Sequence, residues 1–345
     1  MDNSVIKVLV IDDSMFIREV FARKLSEDIE IEVVGKAADV YEARDMILQY
    51  RPDVLTLDVE MPKMNGIEFL KRLMPQYPIP TIVVSAVSDK VFDALNAGAV
   101  EFVTKPSMSV NIDAFIKDLT AKIKIASKAK VEYPKRTVRV RSEIKKSIEY
   151  NTSDMVIAIG ASTGGTNALF DILKVLPENM PGILVVQHMP PVFTKLYADR
   201  LNNNCALEVK EAENGDEVKS GLVLIAPGGY HMRVRKSGSG LFVETEKGTE
   251  TNKVSGHCPS VDVLFESVAK TIGKKAIGVI LTGMGKDGAS GLLEMKKAGA
   301  KTIGQDEKSC VVYGMPKVAF EMGAVDKQLT LSKIPKGILD MIEEK

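Results

Sequence analysis

A serine flanked by glycines is the first group in this sequence whose placement could support covalent catalysis. The segment Gly160–Gly164 reads Gly-Ala-Ser-Thr-Gly, follows the apolar run Met155–Ile159 and precedes a helical pattern that begins near Asn167. This is the Gly-x-Ser-x-Gly pattern in the strand–turn–helix setting of a nucleophilic serine. Such a turn aims the Ser162 hydroxyl out of the sheet edge, with helix N–H groups close enough to hold an oxyanion. A phosphate-binding loop or a plain packing turn fits the same pattern, so three readings stay open.

A serine is a weak nucleophile and needs a base within hydrogen-bonding reach. His188 ends the buried run that begins at Gly182, and Asp287 lies in a glycine-flanked turn after the run Lys275–Leu281. Because the carboxyl ends of parallel strands share one edge, Ser162, His188 and Asp287 could form a hydrolytic triad. The order serine, histidine, acid is not that of ordinary α/β-hydrolases, where the acid precedes the histidine.

Other residues compete for these roles. The chain has three histidines, and the spacing alone does not decide between His188, His231 and His257 as the base. Cys258 offers a thiol nucleophile beside His257, although adjacent residues rarely face each other. Asp287 also fits an ordinary turn with an aspartate cap.

A second set of charged residues stands where predicted strands end, nearer the N-terminus: Asp12, Asp13, Asp58 and Lys105. Open α/β sheets bind ligands at this edge. Three carboxylates repel one another unless a hard cation is present, and oxygen ligands suit Mg²⁺. A neighbouring lysine could pair with a carboxylate or with an added phosphoryl group. Any single acid here fits a helix cap, but four charges from three strands favour a site.

The elements that position these groups form two α/β domains. Strands and helices alternate strictly from Lys7 to Ile125, which predicts a parallel sheet with helices on both faces. The alternation resumes after Asp154, with an antiparallel excursion at residues 230–254. We therefore predict two doubly wound parallel-sheet domains, at residues 1–127 and 153–345, joined by a basic linker at 128–152.

Composition narrows the class of protein. Acidic and basic residues balance at 46 each, which argues against a nucleic-acid partner. No apolar run approaches the roughly 20 residues that span a bilayer. Because Met1-Asp-Asn-Ser leads directly into an apparent strand, we expect no signal peptide. Three scattered cysteines without a Cys-x-x-Cys pair fit a reducing compartment. We expect a cytoplasmic protein with no direct membrane insertion.

The first domain resembles the receiver domain of two-component response regulators, which implies a flavodoxin-like fold with strand order 2-1-3-4-5. The resemblance implies that Asp58 is the phospho-acceptor and that Asp13, Asp58 and the backbone carbonyl of Glu60 hold Mg²⁺. It also implies roles around the phosphoryl group for four more residues: Asp12, Ser85, Phe102 and Lys105. Phe102 falls at the aromatic switch position, where a side chain without a hydroxyl would switch by packing alone.

The second domain resembles the CheB-type chemotaxis methylesterase domain, which implies a Rossmann-like fold. The resemblance rests on five segments: Ile-Gly-Ala-Ser-Thr-Gly-Gly, Val-Gln-His-Met-Pro, Ala-Pro-Gly-Gly-Tyr-His, Pro-Ser-Val-Asp-Val-Leu-Phe and Leu-Thr-Gly-Met-Gly-Lys-Asp-Gly-Ala. It implies Ser162 as nucleophile, His188 as base and Asp287 as orienting acid. Thr163 and Met284 would lie beside the site for oxyanion stabilisation or positioning.

Two positions depart from the family pattern. Lys286 stands where asparagine is more usual, and Cys258 stands where arginine is common. Neither removes a triad member, so the departures bear on substrate contacts and not on the chemistry.

Together the two resemblances imply hydrolysis of glutamate methyl esters on methyl-accepting chemoreceptors through a serine acyl-enzyme, and deamidation of receptor glutamines. They imply activation when a chemotaxis histidine kinase phosphorylates Asp58, with Mg²⁺ at the receiver and no cofactor for the esterase. Two alternatives remain, a non-catalytic receptor-binding output domain and a DNA-binding one. Net neutrality and the lack of a helix-turn-helix pattern argue against the second.

Overall fold

The computed structural model describes residues 5–86, 90–105, 112–131, 155–249 and 251–343. The chain divides into two compact units, Met1–Val138 and Arg139–Lys345. Most of the predicted linker lies outside the described residues, so the domain boundaries at 127 and 153 stay predictions. Within the described ranges, no helix has both the length and the apolar character that a membrane crossing requires.

Among its described residues, the first unit alternates five strands with five helices. In chain order they are β1 (Ile6–Ile11), α1 (Met15–Leu25), β2 (Ile31–Ala37), α2 (Val40–Tyr50), β3 (Val54–Asp58), α3 (Gly66–Leu73), β4 (Thr81–Ser85), α4 (Lys90–Asn96), β5 (Glu101–Thr104) and α5 (Ile112–Ala126). All neighbouring strands pair in parallel, in the order β2-β1-β3-β4-β5. Every residue of β3 and β4 is buried, as expected for strands covered on both faces. The predicted strand order is confirmed.

The second unit contains nine strands and six α-helices among its described residues. In chain order they are β6 (Val156–Ala161), α6 (Gly165–Leu173), β7 (Gly182–Gln187), α7 (Phe193–Asn202), β8 (Glu208–Glu211), β9 (Leu222–Ile225), β10 (Tyr230–Ser237), β11 (Gly240–Lys247), α8 (Val261–Thr271), β12 (Ala276–Ile280), α9 (Ala289–Lys297), β13 (Lys301–Gln305), α10 (Met315–Glu321), β14 (Lys327–Leu329) and α11 (Ile334–Glu343). Seven strands form one parallel sheet in the order β14-β13-β12-β6-β7-β9-β8. Strands β10 and β11 form a separate antiparallel hairpin, where the excursion was predicted.

Each sheet has a switch point beside its first strand in chain order, and such switch points open a crevice at the carboxyl ends of the strands. In the first sheet the switch point falls between β1 and β3, which end next to Asp12 and at Asp58. In the second sheet it falls between β6 and β12, which lead to Ser162 and to the loop of Asp287. The fold thus brings both groups of chemically active residues to the position where this class of sheet binds ligands.

Candidate active site

Ser162 directly follows β6, all six residues of which are buried. Its backbone N–H donates to the carbonyl of Thr282 at 3.0 Å, and its own carbonyl accepts from the N–H of Gly165 at 2.7 Å. Between them Gly164 adopts φ +77°, a left-handed conformation that glycine takes without a steric penalty. The half-buried serine is therefore fixed by its backbone on a tight turn at the start of α6.

His188 and Asp287 form a direct pair. The imidazole Nε2 lies 2.8 Å from Oδ2 of Asp287, and the two side chains are only 9 % and 1 % exposed. The other ring nitrogen, Nδ1, is buried and has no hydrogen-bond partner among the described residues. The Ser162 hydroxyl is therefore not bonded to the imidazole in this structure. Nucleophile–base hydrogen bonds are often long in free enzymes and tighten when substrate binds.

Gln187 ties the ends of the two strands that carry the serine and the histidine. Its side-chain Nε2 donates to the carbonyl of Ser162 at 2.9 Å and to the carbonyl of His188 at 3.2 Å. In addition, the backbone N–H of His188 donates to the carbonyl of Ala161 at 3.1 Å. The relative position of Ser162 and His188 is thus set by contacts to their backbones rather than by their own side chains.

The Asp287 carboxylate is held by the N-terminus of α8. It accepts hydrogen bonds from the Ser260 hydroxyl at 2.8 Å, the Val261 N–H at 2.8 Å and the Asp262 N–H at 3.0 Å. A helix N-terminus carries a partial positive charge and stabilises an anion. Burial alone would raise the pKa of Asp287, but its bonds to His188 and to this helix outweigh burial and lower the pKa. Asp287 therefore stays ionised beside the imidazole.

Asp262 in turn accepts a hydrogen bond from the first turn of α9, the helix that follows Asp287. Its Oδ1 accepts from the N–H of Gly291 in α9 at 2.7 Å, and its side chain is buried. Two acids thus cap each other's helices, Asp287 on α8 and Asp262 on α9. Burial, with the neighbouring Asp287 charge, raises the pKa of Asp262 to about 6.

This raised pKa predicts the pH dependence of Asp262→Asn. The folded chain holds a proton on Asp262 that the unfolded chain releases, so protonation of Asp262 stabilises the fold. This stabilisation is full below about pH 4 and is lost as the pH rises through about 6. An asparagine keeps the acceptor for Gly291 without the charge. We expect its free energy of unfolding, relative to wild type, to rise by more than about 1 kcal/mol between pH 4 and pH 8. Urea titrations at both pH values test this, with the exposed Asp171→Asn as control; parallel curves for both variants would contradict it.

The remaining predicted residues of this domain lie on the turn of Ser162 and on the loop that follows β12. Thr163 is buried, and its carbonyl accepts from the Thr282 hydroxyl at 3.0 Å. Met284 is half-buried in the loop after β12, which lies so close to the serine that a Cβ on Gly283 would come within 2.6 Å of Ser162 Cβ. Lys286 is exposed at the same loop.

The alternative bases and nucleophile are placed less favourably. His231 is buried, and its Nε2 bonds to the carbonyl of Asn252 at 2.8 Å. His257 stacks on the ring of His188, with centroids 3.9 Å apart. Burial raises the pKa of the Cys258 thiol, which keeps it protonated and weakly nucleophilic.

The receiver residues also come together. Asp12, Asp13 and Asp58 each place a carboxylate oxygen within 4.8 Å of the others. Lys105 Nζ lies 2.5 Å from Oδ2 of Asp58 and 3.0 Å from Oδ2 of Asp12. Burial raises the pKa of Asp58 against the opposing effect of Lys105. The Ser85 hydroxyl is buried without a partner among the described residues, which fits a site built for an added phosphoryl group.

For Glu60 and Phe102, the structure shows contacts near the receiver site but none that bears directly on the predicted role. The Glu60 N–H donates to Oδ1 of Asp58 at 3.0 Å, while its exposed side chain pairs with Lys90 at 3.0 Å. The buried Phe102 lies under Lys122, whose Nζ is 5.4 Å from the ring centroid and 2.6 Å from the Phe102 carbonyl oxygen.

Sequence reasoning missed four residues that support the site: Gln187, Ser260, Asp262 and Thr282. Ser260 was detectable, because it stands immediately before a predicted helix as a typical N-cap. The other three lie in segments that carry the family resemblance, but no local pattern shows their contacts, since each bonds to a segment distant in sequence.

Comparison with known proteins finds a separate family match in each of the two units of the chain. Residues 8–117 match the family model "Response regulator receiver domain", and residues 157–338 match "CheB methylesterase". The crystal structure of the Thermotoga maritima CheB methylesterase catalytic domain is 43 % identical, with a TM-score of 0.53, over 55 % of this chain and 99 % of that one.

Two curated relatives match almost the whole chain. "Protein-glutamate methylesterase/protein-glutamine glutaminase 2" of Syntrophomonas wolfei is 55 % identical over 98 % of both chains. "Protein-glutamate methylesterase/protein-glutamine glutaminase" of Syntrophotalea carbinolica is 51 % identical over 99 % of this chain and 98 % of its own. Fold and site define a response regulator whose receiver is joined to an α/β output domain with a serine beside a His–Asp pair. The chain belongs to the CheB methylesterase family.

Proposed function

We propose that the protein removes methyl groups from glutamate methyl esters of chemoreceptors through a Ser162 acyl-enzyme. The observation that carries this proposal is the buried pair of His188 and Asp287 beside the Ser162 turn. Because Nε2 faces Asp287, the neutral imidazole carries its proton there and leaves Nδ1 as the basic nitrogen. Among the described residues nothing else bonds to Nδ1.

The geometry supports the following steps. His188 Nδ1 takes the proton of the Ser162 hydroxyl as the oxygen attacks the ester carbonyl carbon. The imidazolium that forms is stabilised by the ionised Asp287. His188 then gives the proton to the departing methoxide, so methanol leaves, and a water molecule activated in the same way cleaves the acyl-enzyme. Thr163 and Met284 would position or stabilise the oxyanion.

The same sequence of steps acts on a glutamine side chain. Ammonia then leaves in place of methanol, and the acyl-enzyme yields glutamate. The protein would therefore also deamidate receptor glutamines, in agreement with the glutaminase activity named for the relatives. The catalytic-domain match disfavours a DNA-binding output domain.

We further propose that a chemotaxis histidine kinase phosphorylates Asp58 and thereby activates the esterase in the cytoplasm. Asp13, Asp58 and the Glu60 carbonyl would hold Mg²⁺, supported by Asp12, and the carboxylate cluster fits such a hard cation. The ion would neutralise charge on the phosphoryl oxygens. Lys105 would contact the added group, and so would the Ser85 hydroxyl, which has no partner in the part of the chain that the structure describes.

Methanol release from methylated receptor, with and without acetyl phosphate and Mg²⁺, tests both proposals. We expect the phosphodonor to raise the rate in wild type but not in Asp58→Asn, which keeps the size of the side chain and loses the acceptor oxygen. A full switch from 1:99 to 99:1 would need roughly 5.5 kcal/mol, so we expect an activation between about 3- and 100-fold. The exposed Asp45→Asn in α2 serves as the matched control.

Each outcome separates the two proposals. A steady rate that ignores the phosphodonor would keep the esterase and exclude the switch. No methanol at all would favour a receptor-binding module without catalysis. If activation works by relieving inhibition by the unphosphorylated receiver, a fragment of residues 148–345 should be faster than the unphosphorylated whole, and an equal or lower rate would exclude that inhibition.

A further inference from the structure

His257 is in contact with the proposed general base but has no role in the steps above. Its ring stacks on that of His188, with centroids 3.9 Å apart and planes inclined by 12°. Asp287 holds the edge of the same imidazole through Nε2. One face and one edge of the His188 ring are therefore covered, and Nδ1 remains.

A tight backbone turn immediately before His257 places its ring against His188. Val254 and His257 exchange two backbone hydrogen bonds, of 3.2 and 2.9 Å, and the two residues between them have φ of +52° and +82°. Positive φ at both central residues is the signature of a type I′ turn, which is rigid and costly for the non-glycine Ser255. Three residues beyond His257, Ser260 donates to Asp287. A single short segment thus contacts both members of the His–Asp pair.

The charge state of His257 fits a passive partner. Burial, together with the neighbouring His188, lowers the pKa of His257 to about 4. The titratable groups that act on it are His188 after β7 and Asp287 before α9, with the protonated thiol of Cys258 next in its own segment. At neutral pH the ring is uncharged, so it does not oppose the positive charge that His188 gains during catalysis.

We propose that His257 is a positioning residue, whose flat neutral ring holds the His188 imidazole against Asp287 with Nδ1 directed to serve Ser162. This inference rests on the proposed esterase function. It predicts that ring shape at position 257 matters and that the imidazole nitrogens do not.

The test compares His257→Phe with His257→Ala in the full-length protein, using methanol release from methylated receptor. Phenylalanine keeps a flat ring, and alanine removes it. We expect alanine to lower kcat by roughly 10- to 100-fold with KM little changed, the scale of a misplaced catalytic group. Phenylalanine should stay within about 3-fold of wild type. The exposed Thr251→Ala, in the segment before the turn, is the matched control.

A second readout needs no receptor and decides the inference even if the esterase assay shows no activity. The chain has three histidines, so ¹⁵N-labelled protein gives ring signals that single variants assign. In wild type and in His257→Phe, we expect His188 at pH 7 to carry its proton on Nε2. In His257→Ala we expect a mixture of tautomers with averaged signals.

Two results would overturn the proposal. One is a His257→Ala protein with wild-type kcat and an unchanged His188 tautomer. The other is a folded His257→Phe protein as slow as the alanine variant, because the nitrogens of His257 would then be needed and the residue would carry protons. If the alanine variant does not fold, His257→Leu replaces it, since leucine fills the volume without a flat ring.

Discussion

Ser162→Ala is expected to lose nearly all esterase activity, with kcat falling by roughly 10⁶-fold, the scale on which removal of a triad nucleophile acts. Alanine removes the only atom that would bond to the substrate carbonyl and leaves the turn intact, because the contacts that fix residue 162 run through its backbone. Stability and receptor binding should therefore stay near wild type. Methanol release and a thermal melt on the same sample separate loss of chemistry from loss of fold.

The matched control is Ser237→Ala, which removes a hydroxyl from the exposed end of β10. Near-wild-type hydrolysis by Ser162→Ala would refute the nucleophile assignment. Cys258→Ala would then be the next variant to assay, since its thiol is the alternative nucleophile that the sequence offers beside His257. Under the proposed mechanism Cys258→Ala keeps its acyl-transfer chemistry.

How much of this could be predicted from sequence depends on whether the signal is local. Strand β6 was predictable because a strand buried on both faces must be a continuous apolar run, and the turn after it carries its own glycines. The pairing of His188 with Asp287 was one of several options, because sequence shows that both end strands but not which side chains meet. The fold resolves this by placing β7 and β12 on either side of β6.

Other features left no local signal. The contact of Asp262 with Gly291 joins two helices through residues that are 29 positions apart in the sequence. The stacking of His257 on His188 depends on a turn with positive φ at Ser255, a residue type that seldom marks such a conformation. Near the C-terminus, β14 has three residues and shows no alternation that could identify it. In contrast, the apolar spacing of α11 is a local signal that the sequence does carry.

Asp287→Asn is expected to lower kcat by about 10⁴-fold, the effect of an amide that leaves the histidine in the wrong tautomer. The two carboxylate oxygens have different partners. Oδ2 accepts from His188 and Val261, and Oδ1 accepts from Ser260 and Asp262. An amide nitrogen at the Oδ2 position would donate into Nε2 and move the imidazole proton to Nδ1, the nitrogen that must accept the proton of Ser162.

The opposite orientation keeps the tautomer but not the charge. The amide nitrogen would then face the Asp262 N–H, two donors against each other, and no anion would stabilise the imidazolium. Either orientation leaves one N–H of α8 unpaired, so we also expect a loss of stability of about 1–3 kcal/mol. Ser260→Ala, which removes one donor and keeps the carboxylate, should retain far more activity. Equal losses in the two variants would show that Asp287 acts through folding alone.

The pH dependence of stability supplies an independent test of the Asp287 charge. The carboxyl pKa is lowered in the folded chain, so the stabilisation is present above about pH 4 and is lost as the pH falls toward 2. Wild type should therefore lose more stability than Asp287→Asn over that interval. Chemical unfolding at pH 4 and pH 2.5 measures the difference. If the two proteins lose stability in parallel, the carboxylate is not the anion that the N-terminus of α8 and His188 are arranged to hold.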